Sequence, residues 1–490
     1  MVNKIIKLLF IIIASLFVII PLFFTDFKGG EISETEKRKL ALGPLQYKDN
    51  ITDFKISQWI NDNIGLRKEM LKYKTYIEYY IFKKSPSPAV EIGLDGFLFT
   101  TFENNMKIAS GTYPFDKKQE KQTVKNLLKF RDILEKDNIK FVFNIVPSKV
   151  SIYPEYIKYF NYEIRETPSD KLEKLLNNKV NYINTKTSLR KEKERSNDLM
   201  WLKTDSHWNQ YGVYIGYKDI IDKLKSFSLI SDDESYIRVK KNYNYKQRGD
   251  LAQIIGLDSI KEETTLGMDL LDNTSIKIED KPFIKELKEK HKEEIISYSF
   301  INKKKTKKIL VYADSFFGIT RNMPIYLSSH FKEYQHIRGY YLDEEMISSY
   351  KPDIIYVEVA ERDTTNIVNI FKGFNKNNFI QKAKIYSNNI PKEMKKGKSY
   401  SFDIIISNIG EFSIGTDYMN IIGILEENTE TNSIISDERL NIENMFIKPG
   451  DSLKIHINNF IPNVNNDFEI RVGEENVCWI SNGIKIKIIN

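Results

Sequence analysis

Four short apolar runs constrain this chain most: residues 140–146 (Lys140-Phe141-Val142-Phe143-Asn144-Ile145-Val146), 180–183, 308–313 and 353–359. Each is β-rich and lacks a polar face, as a strand buried on both sides of a sheet requires. Helical stretches separate them. Residues 119–136 place Val124, Leu127, Leu128, Phe130, Ile133 and Leu134 on one face, and residues 211–224 and 343–350 follow a similar period. Strands alternating with helices predict an α/β fold with a mostly parallel sheet flanked by helices. Ligands of such sheets gather at the carboxyl ends of the strands. Two segments therefore stand out, Pro147-Ser148-Lys149 after the first run and Asp314-Ser315 after the third.

The N-terminus sets the compartment. Residues 8–24 are almost all apolar, interrupted by Ser15 and Pro21, and Ile5 and Ile6 extend the run to the ~20 residues a membrane-crossing helix needs. Lys4 and Lys7 lie on its N-terminal side, which keeps the short tail cytoplasmic. The bulky Phe23-Phe24-Thr25-Asp26 offers no small-x-small cleavage site. The expectation is a single-pass anchor in the cell membrane over residues 1–27, with the body on the extracellular side. Cys478 is the only cysteine, so no intrachain disulfide can form and packed cores must supply the stability. The net charge of +7 is modest for 490 residues. Its densest basic stretch, residues 303–308, has no nucleic-acid-binding motif beside it and reads as a solvated loop. A polyanionic polysaccharide would still be attracted to it.

The composition divides the remainder. Residues 28–90 read as a stalk and helical lead-in, with Phe54, Ile56, Trp59, Ile60, Ile64, Leu66, Met70 and Tyr73 at helical spacing and Gly65 breaking the run. Residues 91–382 hold the α/β pattern. From 383 to 490 helical periodicity gives way to alternating runs, such as residues 400–406, 452–457 and 483–488, with turns at Asn408-Ile409-Gly410 and Pro449-Gly450-Asp451. About a hundred residues of short strands predict a β-sandwich.

The chemistry concentrates in Trp201-Leu202-Lys203-Thr204-Asp205-Ser206-His207-Trp208-Asn209 and Ala313-Asp314-Ser315-Phe316. Asp205 and His207 are two apart, so in extended chain both project to one side. The carboxylate would fix the imidazole tautomer, and the imidazole would accept the Ser315 proton as the hydroxyl attacks an ester carbonyl. A plainer alternative makes Asp205 the cap of a helix starting near Trp208, with His207 structural and Ser315 a helix N-cap. The Ser315 amide is one oxyanion donor to consider; Trp208, Lys149 and Arg321 are further candidates for holding substrate or oxyanion. No metal or other cofactor is called for.

These two motifs, in this order behind an anchor, resemble the SGNH hydrolase-like proteins of alginate acetylation and their Gram-positive relatives, sometimes called the DHHW family. Asn61-Asp62-Asn63-Ile64-Gly65-Leu66-Arg67, Ile92-Gly93-Leu94-Asp95-Gly96-Phe97-Leu98-Phe99, Val146-Pro147-Ser148-Lys149 with Ile152-Tyr153-Pro154, Gly249-Asp250-Leu251-Ala252 and Val359-Ala360-Glu361-Arg362 are similar to family segments. The resemblance implies an SGNH-like fold, Ser315 as nucleophile, His207 as base and Asp205 as its orienting carboxylate. Two positions depart from the pattern: Ala313 where glycine is common, and Ser206 where a second histidine often stands. The implied activity is transfer of acetyl through an acyl-serine to hydroxyls of a cell-envelope or secreted polysaccharide, with a membrane-bound O-acyltransferase as supplier. An acetylesterase using the same triad, and a non-catalytic polysaccharide-binding or assembly component, are the alternatives. The tail resembles Ig-like modules through Ser407-Asn408-Ile409-Gly410 and Trp479-Ile480-Ser481-Asn482-Gly483, and would either bind glycan or pack on the catalytic part.

Overall fold

The computed structural model describes residues 2–33, 38–46, 55–102, 104–158, 166–257, 262–291, 295–426, 439–440, 444–475 and 477–489. Phe54 of the expected lead-in helix lies outside them.

Helix α1 (Val2–Phe23) is the N-terminal apolar stretch, and its Lys4–Phe23 portion is long and apolar enough to cross a membrane. The lead-in forms two helices, α2 (Ile56–Asn63) and α3 (Arg67–Tyr76), parted at Gly65. Leu66 there takes the left-handed conformation, with φ 60°. A π-helical turn, Ile77–Ile81, continues α3. A short antiparallel pair, β1 (Val90–Ile92) and β2 (Leu98–Thr100), leads into the main domain.

Helix α4 (Lys117–Lys136) starts at a capping box in which Asp116 accepts from the Gln119 amide and Gln119 accepts from the Asp116 amide. Next come β3 (Lys140–Val146), β4 (Asn181–Asn184) and α5 (Gln210–Ser226). A long antiparallel pair follows, β5 (Val239–Arg248) and β6 (Glu262–Leu270), with the short helix α6 (Asp250–Ile254) between the two. The rest of the central sheet is β7 (Ile276–Ile278), β8 (Ser297–Ile301), β9 (Lys308–Ala313), β10 (Glu333–Arg338) and β11 (Ile354–Ala360).

The seven-stranded sheet has the order β4-β3-β11-β9-β10-β8-β7. The five strands from β4 to β10 are mutually parallel, while β8 and β7 add antiparallel at one edge. The sheet is thus mostly parallel, as expected, with an antiparallel edge that makes it mixed. Its central strands are mostly apolar because both faces are covered, with Asn144 and Glu358 as buried exceptions. Val142, Val311 and Tyr356 face one core, and Phe143, Tyr312 and Val357 the other. Strand β9, which delivers Ser315, is hydrogen-bonded on both sides and wholly buried beyond its first residue.

Among the described residues beyond 382, a smaller and a larger β-sheet share one apolar core, joined by a short two-stranded pair through Ile414 and Ile447. Phe402, Ile404 and Ile406 come from the smaller sheet, and Ile422, Ile470 and Val472 from the larger. This unit docks on α4. Glu474 receives the Lys129 ammonium at 2.6 Å and Lys125 at 3.2 Å, all three side chains buried.

Candidate active site

Strand β9 ends at Ala313, and Asp314 turns the chain. Its carboxylate accepts the Phe316 amide at 2.8 Å and the Ala360 amide at 2.9 Å, capping a 3-10 turn over Ser315–Phe317. The Asp314 amide donates to Glu358. Burial, and then the Asp314 charge, push the Glu358 carboxyl well above the usual range. The turn therefore rests on a half-buried aspartate backed by a buried glutamate, and Ser315 is held at the carboxyl end of a central strand.

The second motif is a pinched loop. Trp201 and Trp208 form an antiparallel bridge at its base, and the Asn209 amide donates to the Met200 carbonyl. Asn209, rather than Asp205, caps α5 by accepting the Gly212 amide. Trp208 is fully buried, its indole N–H donating to the Phe316 carbonyl at 2.8 Å, which ties this loop to the serine turn. Gly216 permits the fit, since a Cβ there would stand 2.6 Å from the Trp208 ring.

The two segments meet at His207. Its Nε2 is 2.7 Å from Ser315 Oγ, and its Nδ1 is 3.0 Å from Asp205 Oδ1. Asp205 also accepts the His207 amide at 2.8 Å, which sets the rotation of the ring. Nδ1 has further neighbours, Asp250 Oδ2 at 3.2 Å and Ser206 Oγ at 3.1 Å. The Ser206 hydroxyl donates to the same Asp250 carboxylate at 2.5 Å, and its amide donates there at 2.7 Å. Burial opposes a charge on His207, but hydrogen bonds to Asp205 and then Asp250 outweigh it and raise its pKa. Burial works against the Asp250 charge too, yet its bonds to His207 and Ser206 hold its carboxyl far below the usual range. Asp205, His207 and Asp250 bring donor atoms within 4.8 Å of one another. With Nε2 facing the serine hydroxyl and Nδ1 facing carboxylates, the arrangement suits the tautomer that carries its proton on Nδ1 and leaves Nε2 to accept one.

The three further candidates are placed elsewhere. The buried Lys149 ammonium lies within 3.0 Å of the carbonyls of Leu98, Leu202, Lys203 and Asp205, so it braces the loop and not a substrate. Trp208 is sealed in the core. Arg321 donates through Nε to the Trp208 carbonyl at 3.2 Å and approaches Asp205 Oδ2 at 3.5 Å, spanning the motif from behind. Asp250 and Glu263 are the residues that sequence reasoning did not place. Glu263, on β6, accepts the amides of Lys203 at 2.8 Å and Thr204 at 2.7 Å. Gly249-Asp250 was visible as a segment, but nothing in its spacing marks a contact with a histidine 43 positions earlier.

Beside Ser315 an open pocket of about 400 Å³ is lined by Asp314, Arg338, Gly339, Tyr341, Arg362 and Asp363, with Ile295 and Ile296 at its rim. A serine, a histidine whose far nitrogen faces two carboxylates, and an adjoining cavity make an arrangement on an α/β domain whose chemistry suits acyl transfer.

Comparison with known proteins narrows the class. Residues 90–296 match the family described as SGNH hydrolase-like domain, acetyltransferase AlgX. The matched span includes Asp205, His207 and Asp250; Ser315 lies beyond it. The "Probable alginate O-acetylase AlgJ" of Pseudomonas putida is 22% identical over 179 residues, 35% of this chain and 43% of that protein. Its namesake from Pseudomonas aeruginosa is 25% identical over 198 residues, 38% of this chain and 46% of that protein. The chain therefore spans less than half the length of these curated relatives. The solved structure of Bacillus cereus PatB1 covers 56% of this chain and 96% of its own, at 16% identity and a TM-score of 0.40.

Proposed function

We propose that this protein is an extracytoplasmic O-acetyltransferase acting on hydroxyl groups of a cell-envelope or secreted polysaccharide, with Ser315 as nucleophile, His207 as base and Asp205 as the carboxylate that orients it. The observation that carries this reading is the 2.7 Å approach of Ser315 Oγ to a histidine whose far nitrogen is held by Asp205. In the first half-reaction Ser315 Oγ bonds to the acetyl carbonyl carbon while His207 Nε2 takes the hydroxyl proton. Collapse of the tetrahedral adduct breaks the bond to the donor's leaving group, which departs with that proton. In the second, a sugar hydroxyl gives its proton to Nε2, attacks acetyl-Ser315 and leaves as the ester; the serine oxygen recovers the proton.

The acetyl supplier in this scheme is a membrane-bound O-acyltransferase. The division into anchor (1–27), lead-in (28–90), catalytic part (91–382) and Ig-like module (383–490) belongs to the same proposal. A sugar hydroxyl held near the acyl-serine reaches effective molarities of ~10⁵ M or more, against water at ~55 M, so positioning decides the acceptor. The test supplies the purified chain with an activated acetyl ester and a panel of oligosaccharides that includes the native polymer. Sugar products heavier by one acetyl group, lost in Ser315→Ala, are expected. Free acetate alone would make the protein an esterase, and unchanged turnover in Ser315→Ala would remove the serine from the chemistry.

A further inference from the structure

Helix α3 presents an apolar stripe to solvent. Met70, Tyr73, Ile77 and Ile81 follow one another at intervals of three, four and four residues, so they share one face of the helix and its extension. All four are exposed, Tyr73 at 68% and Ile81 at 63%. The opposite face is the one that packs on the protein: Thr75 is 8% exposed and Tyr79 is 7% exposed. A surface helix ordinarily turns its apolar side inward. Here the side turned away from the body is the apolar one.

The position of this helix relative to α1 says what covers it. The end of α1 is hydrogen-bonded into the turn between α2 and α3. The Asp26 amide donates to the Asn63 carbonyl at 3.0 Å, the Gly65 amide to Thr25 Oγ1 at 3.3 Å, and the Trp59 indole to the Asp26 carbonyl at 2.9 Å. A Cβ on Gly65 would stand 2.3 Å from the Pro21 carbonyl oxygen, so α3 starts directly against the last turn of α1. Arg38 braces the same junction by a two-point pair with Asp62. The apolar stripe therefore begins where the apolar anchor ends. Residues 67–84 also carry six basic against two acidic side chains, with Lys68, Lys72, Lys74, Lys83 and Lys84 exposed. Apolar and aromatic groups on one face with lysines around them suit the boundary between acyl chains and anionic headgroups.

We propose that α3 and its π-helical extension lie on the outer leaflet of the membrane that α1 crosses, with Tyr73, Ile77 and Ile81 seated in lipid; this rests on α1 being a membrane span. The consequence reaches the site. Tyr79, on the protein-facing side, shares a core cluster with Leu251, Ala252 and Ile255 of α6 and its end, and α6 begins at Asp250, the second carboxylate on His207. One short helix thus connects the lipid-borne element to the triad. The site is held at a fixed height above the bilayer, where an acyl group delivered from the membrane emerges.

The test uses the full-length chain in liposomes containing one-third anionic phospholipid. Cys478→Ser gives a cysteine-free background for single spin labels at Tyr73→Cys, Ile77→Cys, Ile12→Cys in α1, and Lys398→Cys in the C-terminal unit. Labels at 73 and 77 are expected to collide more with dissolved oxygen than with a water-soluble nickel chelate, as the label at 12 does and the label at 398 does not. Labels at 73 and 77 as chelate-accessible as 398, with 12 in lipid, would overturn the proposal. Shielding of 73 and 77 from both reagents would mean that protein covers the stripe, and would overturn it as well. A chelate-accessible label at 12 would remove the anchor itself, and this inference with it, without touching the acyl-transfer reading.

Discussion

Two carboxylates on one imidazole define the pH behaviour expected of this site. As the proposed base, His207 must be neutral to accept the serine proton, so activity should fall as pH drops through its pKa, which burial lowers but its carboxylate partners raise above the ordinary 6.5. Asp250→Asn removes one of the groups that raise it. The acid limb of the pH–rate profile should then move to lower pH, while the plateau changes less. An unmoved limb would show that Asp250 does not act on His207. Asp205→Asn is expected to cost far more, ~10²–10⁴-fold in turnover, because an amide can favour the wrong tautomer and cannot balance the imidazolium. Ser206 belongs to this unit: its hydroxyl lies between His207 Nδ1 and Asp250 and keeps the second carboxylate in register.

At the scale of elements, the loop that carries Asp205 and His207 owes its shape to groups outside it. Lys149 arrives from the end of β3 and binds carbonyls of β2 and of the loop itself; Glu263 arrives from β6 and binds loop amides. Backbone groups buried in such a loop must be satisfied, and no regular ladder is available to do it. Lys149→Met keeps the volume and removes the donors. It should destabilise the protein by about 1–3 kcal/mol, the cost of leaving buried acceptors unmet, with a loss of turnover beyond what the unfolded fraction explains. Urea titration and single-turnover acetylation on the same samples separate the two effects. The serine turn, by contrast, is a local device: strand, capping aspartate and 3-10 turn are consecutive in sequence.

Across the whole molecule, the C-terminal sheets are joined to the α/β domain by buried charge. Lys125 and Lys129 converge on Glu474, and Tyr418 donates to Asp132 while receiving Arg131 at 3.2 Å. Glu474→Ala would leave two buried ammonium groups facing each other, which is expected to cost about 3–5 kcal/mol, read from the urea midpoint. A variant of unchanged stability would mean that the two units do not depend on this contact. The placement of the body relative to the membrane is checked by adding protease to intact protoplasts. Residues 26–490 should be digested; full protection would put the body on the cytoplasmic side and end the polysaccharide reading.

By itself, the sequence determined what local chemistry and periodicity determine. Buried strands such as 140–146 and 308–313 show as apolar runs because both faces are covered, and α4 shows in the spacing of Val124, Leu127, Leu128, Phe130 and Leu134. The less apolar β7 and β8, which add antiparallel on one side and make the sheet mixed, passed unread. The Asp205–His207 pair was legible because its two members are neighbours in the chain. What only the tertiary structure decided is what surrounds them. Lys149 and Trp208 carry side chains that suit a substrate site, yet they are spent on carbonyls in the interior; Asp250 looks like any helix-initiating aspartate, yet it reaches His207. A side chain's partner depends on which distant segments the sheet order and loop packing bring beside it, and no spacing along the chain encodes that distance.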